Sequence, residues 1–476
     1  MVWNFSQYRQ NIALEDRTGE SLTYQELEEA GNQTARAIGE RCLVFSLCTN
    51  SIGSVVGYTG FLQNRIVPLL LSANLDRKLL LSLVKTYQPA YIWYPKCIQM
   101  QEAGIKGTII YEKYKYCLLE LDDKEIREDL YPELGLLLTT SGSTGSPKLV
   151  RQSYTNIRTN AQQIVQYLKL DSSERPITTL PMNYTYGLSI INSHLMAGAA
   201  ICLIDGTMMQ KEFWDFLKEK RCTSFGGVPY TYEMLDRLRF YRMNLPYLKT
   251  MTQAGGKLGT DLHKKFAEYA KENGKNFVIM YGQCEATARM AYLPPEYAAE
   301  KQGAMGIAIP GGRLMLIDEM GNEITENGVS GELVYEGENV TLGYAEKRED
   351  LCKGDEFQGK LHTGDVARRD SDGFYYIVGR KKRFLKIYGN RVNLDEVEKL
   401  IKSNFQNLEC ACCGVDDKMY IFITNGSSAE EVKLFASHKT GLNPLAFHVY
   451  TIESLPKNEA GKTLYGELTK YKGEKD

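Results

Sequence analysis

The chain has 476 residues, 43% of them hydrophobic and 24% charged, enough apolar material for roughly two to four packed units. With 57 Lys+Arg against 59 Asp+Glu its formal charge is -2, so nothing electrostatic points to a nucleic-acid partner, and any positive potential must be local to a cleft. The 11 cysteines are an odd, scattered set; Cys410, Cys412 and Cys413 lack the paired spacing of a zinc site and read as reduced structural thiols. No basic start leads into an apolar core at the N-terminus, and the longest apolar runs, such as residues 66–71, are too short to span a bilayer. The expectation is a cytoplasmic chain without membrane insertion.

In chain order, Thr23 to Glu26 predicts a capping box ahead of a helix carrying Leu27, Ala30 and Ala37. A strand follows at 42–48, a helix at 51–64, a strand at 66–71, a helix at 76–87 and a strand at 90–94. This alternation predicts a parallel sheet with covering helices. It resumes with strands at 136–140, 148–154, 199–204 and 277–281, and helices at 156–168, 211–220 and 261–273. From Leu314 the texture changes to short strands and Gly-rich turns, which predicts a β-rich module. A basic run from Gly379 to Lys386 leads into a compact α+β pattern: a helix at 393–403, a hairpin about Asp416 and Asp417, a helix from Ser428 and a strand at 447–452. The expected fold class is α/β. A large N-terminal domain of α/β subdomains and a small β-rich module spans residues 1–381; a small α+β domain spans 382–476.

The strongest local signal is Thr139-Thr140-Ser141-Gly142-Ser143-Thr144-Gly145-Ser146-Pro147-Lys148. Glycines let backbone N–H groups turn toward an anion, Ser and Thr hydroxyls add donors, and Lys148 supplies a mobile positive charge. A Walker A loop needs Lys directly after its second Gly, whereas Ser146 and Pro147 intervene here. A shorter Ser/Gly stretch would read as a surface turn; this string follows an apolar strand and reads as a phosphate cradle.

With this string the chain resembles the acyl-adenylate-forming superfamily of acyl-CoA synthetases, adenylation enzymes and luciferases, over nearly its whole length and in family order. The resemblance implies roles for further residues. Ala254-Gly255-Gly256-Lys257 looks like the adenine-side loop. Tyr281-Gly282-Gln283-Cys284-Glu285 looks like the Y-G-x-T-E motif, with Tyr281 stacking on adenine and Glu285 holding Mg²⁺. Cys284 replaces the usual Thr, and a thiol is a weak donor. Asp365, in His362-Thr363-Gly364-Asp365, would accept from both ribose hydroxyls, and Arg380 would also reach the ribose. Lys382 stands at the family's hinge position. Lys386 and Gly389 match the thiol-side loop of a mobile C-terminal domain, while Lys381 and Arg383 read as a solvated basic run. Lys462, in the Leu455 to Thr463 loop, would be the catalytic lysine that bridges carboxylate and α-phosphate.

The implied activity is that of an AMP-forming acid–thiol ligase. A carboxylate attacks the α-phosphorus of ATP, pyrophosphate leaves with Mg²⁺, and a thiol then takes the acyl group as the small domain rotates. Pro181 to Gly187 matches the wall of the acyl pocket, with Tyr184 where the family often has His or an aromatic; Gly226-Gly227-Val228-Pro229 forms another wall. No Asp stands near Gly187 to hold an α-amine, which argues against an α-amino acid. No carrier domain is expected after Lys462, so the thiol comes in trans, from CoA by preference or from the phosphopantetheine arm of a carrier protein. A non-catalytic nucleotide-binding relative would be expected to lack Lys462, Glu285 or Asp365, and all three are present.

Overall fold

The computed structural model describes residues 2–123, 130–139, 148–388, 390–405, 408–424, 429–457 and 463–471. By backbone packing the chain divides into two compact units. One comprises Met1–Leu314 and Tyr335–Leu361, the other Met315–Val334 and His362–Asp476.

The first unit is built on two large sheets. The eight-stranded sheet has the order Gly343–Ala345, Leu149–Ser153, Leu134–Thr139, Val67–Ser72, Leu43–Cys48, Tyr91–Pro95, Tyr116–Leu121, Gly107–Lys113. Its four central strands are parallel. Leu43–Cys48 is buried at every position, the continuous apolar reading of a strand covered on both faces. The helix Tyr24–Ile38 starts where Thr23 and Glu26 cap each other reciprocally. The helix Ile52–Gln63 is apolar all round and buried from Ile52 to Leu62, so it lies inside the core rather than on a surface.

In this sheet the parallel expectation holds only for that centre. Tyr116–Leu121 and Leu149–Ser153 pair antiparallel at its two sides. The hairpin Gly107–Lys113 to Tyr116–Leu121 turns at Tyr114 and Lys115, both at positive φ, 46° and 61°. The turn lacks the Asn-Gly or Gly-Gly that announces such a hairpin in sequence.

The nine-stranded sheet runs Ile307–Ala308, Ala291–Leu293, Asn276–Tyr281, Thr250–Gln253, Ser224–Gly227, Pro176–Ile177, Ile201–Leu203, Ile12–Asp16, Ser21–Thr23. Its strands are parallel from Asn276–Tyr281 to Ile12–Asp16 and antiparallel beyond. Helices such as Tyr154–Leu168 and Thr185–Ala197 belong to the same unit.

The second unit includes the antiparallel pair Lys360–Arg369 and Tyr375–Arg380 from His362 onward. It continues with Phe384–Ile387 paired to Asn390–Asn393, the helix Leu394–Asn404, a sheet of Cys410–Val415, Lys418–Thr424 and Phe447–Ile452, and the helix Ala429–Thr440. Ile387, Val397, Ile401, Cys412, Ile421, Val432 and Phe447 fill its core. Lys381 is exposed and pairs with Glu332. Arg383, by contrast, is not a solvated charge: it is buried, with Nε 2.6 Å from Asp395, Nη2 2.5 Å from Glu398 and its guanidinium over the Tyr465 ring. Two carboxylates and a ring face take the place of water there.

Candidate active site

Neighbouring parallel strands of the nine-stranded sheet deliver the predicted motifs from their carboxyl ends. Ser224–Gly227 runs into Val228-Pro229, Thr250–Gln253 into the 254–257 loop, and Asn276–Tyr281 into the 281–285 motif. Register pairs Gly227 with Gln253, and Gln253 with Ile279, so these loops leave the sheet side by side. The crevice beyond the carboxyl ends of parallel strands is where open α/β sheets bind ligands.

Local sequence fixes each loop. The buried Gln253 side chain donates through Nε2 to the carbonyls of Ala254, 3.1 Å, and Gly256, 3.0 Å. Gly255 has φ +83°, and a Cβ there would come within 2.6 Å of the Tyr184 hydroxyl; any side chain would disturb the contact that seats Tyr184 against the loop. Burial pushes the Tyr184 hydroxyl up to about 12, with Cys284 as a lesser cause, so it stays a neutral donor. Lys257 is exposed. A Cβ on Gly282 would lie 1.6 Å from the Ala288 carbonyl oxygen, so only glycine allows the 281–285 segment to fold back on residues 286–289. Gln283 Nε2 donates to the Tyr281 hydroxyl at 3.2 Å.

Both described ends of the Thr139 to Lys148 loop converge on that motif. Thr139 pairs with Leu149 across the hairpin. The Cys284 thiol lies 4.0 Å from the Thr139 carbonyl oxygen. At the other end, Lys148 Nζ sits 3.7 Å from the centroid of the Tyr344 ring and 3.7 Å from Glu346 Oε1. The Tyr344 hydroxyl donates to Glu285 Oε1 at 2.9 Å. Burial, and then the Glu285 charge, push that hydroxyl well above the usual tyrosine range. Tyr344 thus bridges the two motifs: its face meets a cation and its hydroxyl a carboxylate. The backbone carbonyl of Glu285 also accepts from Thr341 N at 3.0 Å.

Within the second unit, Asp365 and Arg380 stand opposite each other on paired strands. Arg380 Nε lies 3.2 Å from Asp365 Oδ1; the aspartate is buried and the arginine side chain largely exposed. Thr363 Oγ1 accepts from Asp365 N at 3.1 Å and donates to the Leu333 carbonyl at 2.7 Å, which sets the start of this turn. Lys382 and Lys386 fall in the segments Lys381–Arg383 and Phe384–Ile387. Thr140, Ser141, Gly142, Ser143, Thr144, Gly145, Gly389 and Lys462 lie outside the described residues.

Sequence reasoning passed over Tyr344. It lies more than fifty residues beyond Glu285, in a run that carries no motif signal, and only the pairing of Gly343–Ala345 with Leu149–Ser153 brings it beside Lys148.

The acidic and sulfur groups are equally informative. Among the described residues no group of three His, Cys, Asp or Glu could hold a metal ion, and no helix is long and apolar enough to cross a membrane. Glu285 is half-buried, and no cation pairs with it among the described residues. It can offer carboxylate oxygen to a hard cation.

Comparison with known proteins places the chain's fold and family. An oxalate–CoA ligase of Arabidopsis thaliana is 29% identical over 347 residues, 70% of this chain and 66% of that protein. A probable CoA ligase of Humulus lupulus is 29% identical over 69% of this chain and 64% of its own length. The chain thus spans just under two thirds of these relatives. A 2-succinylbenzoate–CoA ligase of Bacillus licheniformis is also 29% identical, over 72% of this chain and 71% of its own. Among solved structures, O-succinylbenzoate coenzyme A synthetase from Bacillus subtilis in complex with AMP shares the fold at a TM-score of 0.78 and 20% identity, covering 98% of this chain and 97% of its own. ATP-bound MatB from Rhodopseudomonas palustris gives 0.75 and 20%, with 98% of each chain covered. The sequence profile described as AMP-binding enzyme matches residues 2–345, and the chain belongs to that family.

Proposed function

We propose that the chain is an AMP-forming acid–thiol ligase that activates a carboxylic acid with ATP as an acyl-AMP and passes the acyl group to CoA. The observation that carries this reading is the approach of Thr139 to Cys284 and of Lys148, through Tyr344, to Glu285. A glycine- and hydroxyl-rich loop with both described ends near the Glu285 carboxylate suits a triphosphate with its counter-ion.

In this reading Thr140, Ser141, Gly142, Ser143, Thr144, Gly145 and Lys148 cradle the phosphates. Tyr281 and the Gly255-Gly256 loop flank adenine, with Lys257, Gln283 and Gly282 completing that wall, and Asp365 with Arg380 takes the ribose. Glu285 fits a magnesium ion, because Tyr344 holds one of its oxygens and no cation among the described residues competes for the other. When bound, that ion offsets the charge of the phosphates. Lys462 brings its charge between carboxylate and α-phosphate as the carboxyl oxygen attacks in line and pyrophosphate departs. The protein positions and neutralises; no side chain forms a covalent intermediate. Tyr184 and Tyr186 wall the acyl group. We further propose domains of 1–381 and 382–476, with Lys382 as hinge and Lys386 and Gly389 reaching the thiol after rotation.

CoA is favoured over a carrier protein because relatives including the oxalate, 2-succinylbenzoate and feruloyl proteins are all named for CoA thioesters. Purified protein with ATP, Mg²⁺ and a panel of carboxylic acids should release AMP and pyrophosphate, and adding CoA should yield an acyl thioester. ADP as product would overturn the reading. Transfer to a phosphopantetheinyl carrier but not to CoA would reassign the thiol.

A further inference from the structure

Arg151, Arg289 and Arg383 are all buried, at 0%, 2% and 9% exposure, but they are not neutralised alike. Arg151 Nη2 lies 2.5 Å from Glu356, and Arg383 has Asp395 and Glu398. Arg289 has no carboxylate against it among the described residues. Its Nε donates to Ser189 Oγ at 3.0 Å, and Nη1 reaches the Tyr167 hydroxyl at 2.9 Å and Met280 Sδ at 3.1 Å. The guanidinium carbon lies 5.3 Å from the centroid of the Tyr186 ring. Nη2 makes no hydrogen bond among the described residues.

The titratable neighbours do not supply the missing charge. Burial pushes the Tyr167 and Tyr186 hydroxyls up. Burial also pushes His194 down, to about 4. All three are neutral at pH 7, so a full positive charge is buried among neutral groups. That is costly unless an anion completes it, and an apolar side chain could fill the same volume without the cost.

The charge is also in a telling place. Tyr186 and Met280 belong to one apolar cluster with Leu180, Ile190, Val228 and Ala254, and Tyr184 and Tyr167 pack against it. Tyr184, which touches Gly255, is 6.4 Å from Tyr186 between ring centroids. Arg289 therefore stands one aromatic ring beyond the residue at the adenine-side loop. Its backbone is fixed as well, because Asn160 and Asn339 both donate to its carbonyl oxygen.

We propose that Arg289 binds a second anionic group of the acid substrate, so that the chain acts on dicarboxylic acids, adenylating one carboxylate while the other pairs with the guanidinium. This rests on the ligase reading above. Arginine is suited to the task because its planar fork binds carboxylate in two parallel hydrogen bonds.

The test compares oxalate, malonate, succinate, glutarate and phthalate, each with its half-methyl ester, for AMP formation. The half ester keeps the reacting carboxylate and loses the distal charge. The best diacid should exceed its half ester by at least ~100-fold in kcat/KM. Arg289→Gln should erase that preference by raising KM for the diacid far more than for its half ester, and Arg289→Lys should keep part of it. Half esters and plain monocarboxylates serving as well as diacids would overturn the assignment and leave the ligase reading intact. Equal losses with both members of a pair in Arg289→Gln would reduce Arg289 to a structural role. Should that variant fail to fold, the wild-type comparison decides alone. AMP formation from no acid at all would count against the ligase reading itself, and the inference with it.

Discussion

Tyr344 donates to Glu285 and carries Lys148 on its ring, so this one side chain ties the cation of one motif to the carboxylate of the other. Tyr344→Phe keeps the ring and removes the hydrogen bond; we expect kcat for AMP formation to fall about tenfold, the worth of one hydrogen bond to a charged group. Glu285→Gln should cost about 100-fold or more and raise the Mg²⁺ concentration needed for half-maximal rate, which Tyr344→Phe alters less. Cys284 stands where the family carries Thr, with its thiol directed to the Thr139 carbonyl at 4.0 Å. Cys284→Thr, with a stronger donor, should retain or raise the rate of pyrophosphate exchange; a large loss would mean the motif is misaligned. Glu285 and the glycines around it could be singled out in the sequence because Tyr281, Gly282 and Glu285 stand at the spacing of a family motif. Tyr344 and Arg289 were not, because each is a single common residue whose meaning comes from tertiary neighbours.

At the scale of elements, the site follows from parallel strands that end side by side, and strand positions were readable from short apolar runs bounded by turns. What escaped was pairing direction. The turn at Tyr114 and Lys115 is made by two residues without a turn signature, so the adjoining antiparallel strands gave no local sign. The helix Thr185–Ala197 escaped for another reason: it is buried on nearly every side, and an element without a polar face has no amphipathic period. That helix carries His194, whose Nδ1 lies 2.8 Å from the Ile190 carbonyl and whose Nε2 has no partner among the described residues. Its native pKa is lowered to about 4 from 6.5. Below pH 6.5 the unfolded chain takes up a proton that the native state refuses, so stability is lost as pH falls toward 4 and levels off beyond. The loss approaches about 3 kcal/mol at the lower limit. His194→Asn, which keeps a donor to Ile190, should lack this part of the slope in melting temperature between pH 7 and 4; an unchanged slope would show that His194 titrates normally.

For the whole molecule, the α/β class was legible because the Ala254 to Lys257 loop, the Tyr281 to Glu285 motif and the start of the Thr139 to Lys148 loop each follow a strand of the first unit. The division by packing groups Met315–Val334 with His362–Asp476, whereas the basic run from Gly379 to Lys386 and the α+β pattern after it suggested a boundary at Lys382. Short strands and turns look alike on either side of such a boundary, and only tertiary contact assigns them to a unit. If rotation at Lys382 separates the two half-reactions, Lys462→Ala should abolish acyl-AMP formation yet still form thioester from supplied acyl-AMP. Equal loss of both would contradict the rotation. The central chemical claim is that a carboxyl oxygen of the substrate becomes bonded to the α-phosphorus. Acid labelled with ¹⁸O in its carboxylate, turned over with ATP and CoA, tests this directly by mass spectrometry of the nucleotide product. We predict AMP carrying one labelled oxygen; unlabelled AMP, or label appearing in inorganic phosphate beside ADP, would contradict it.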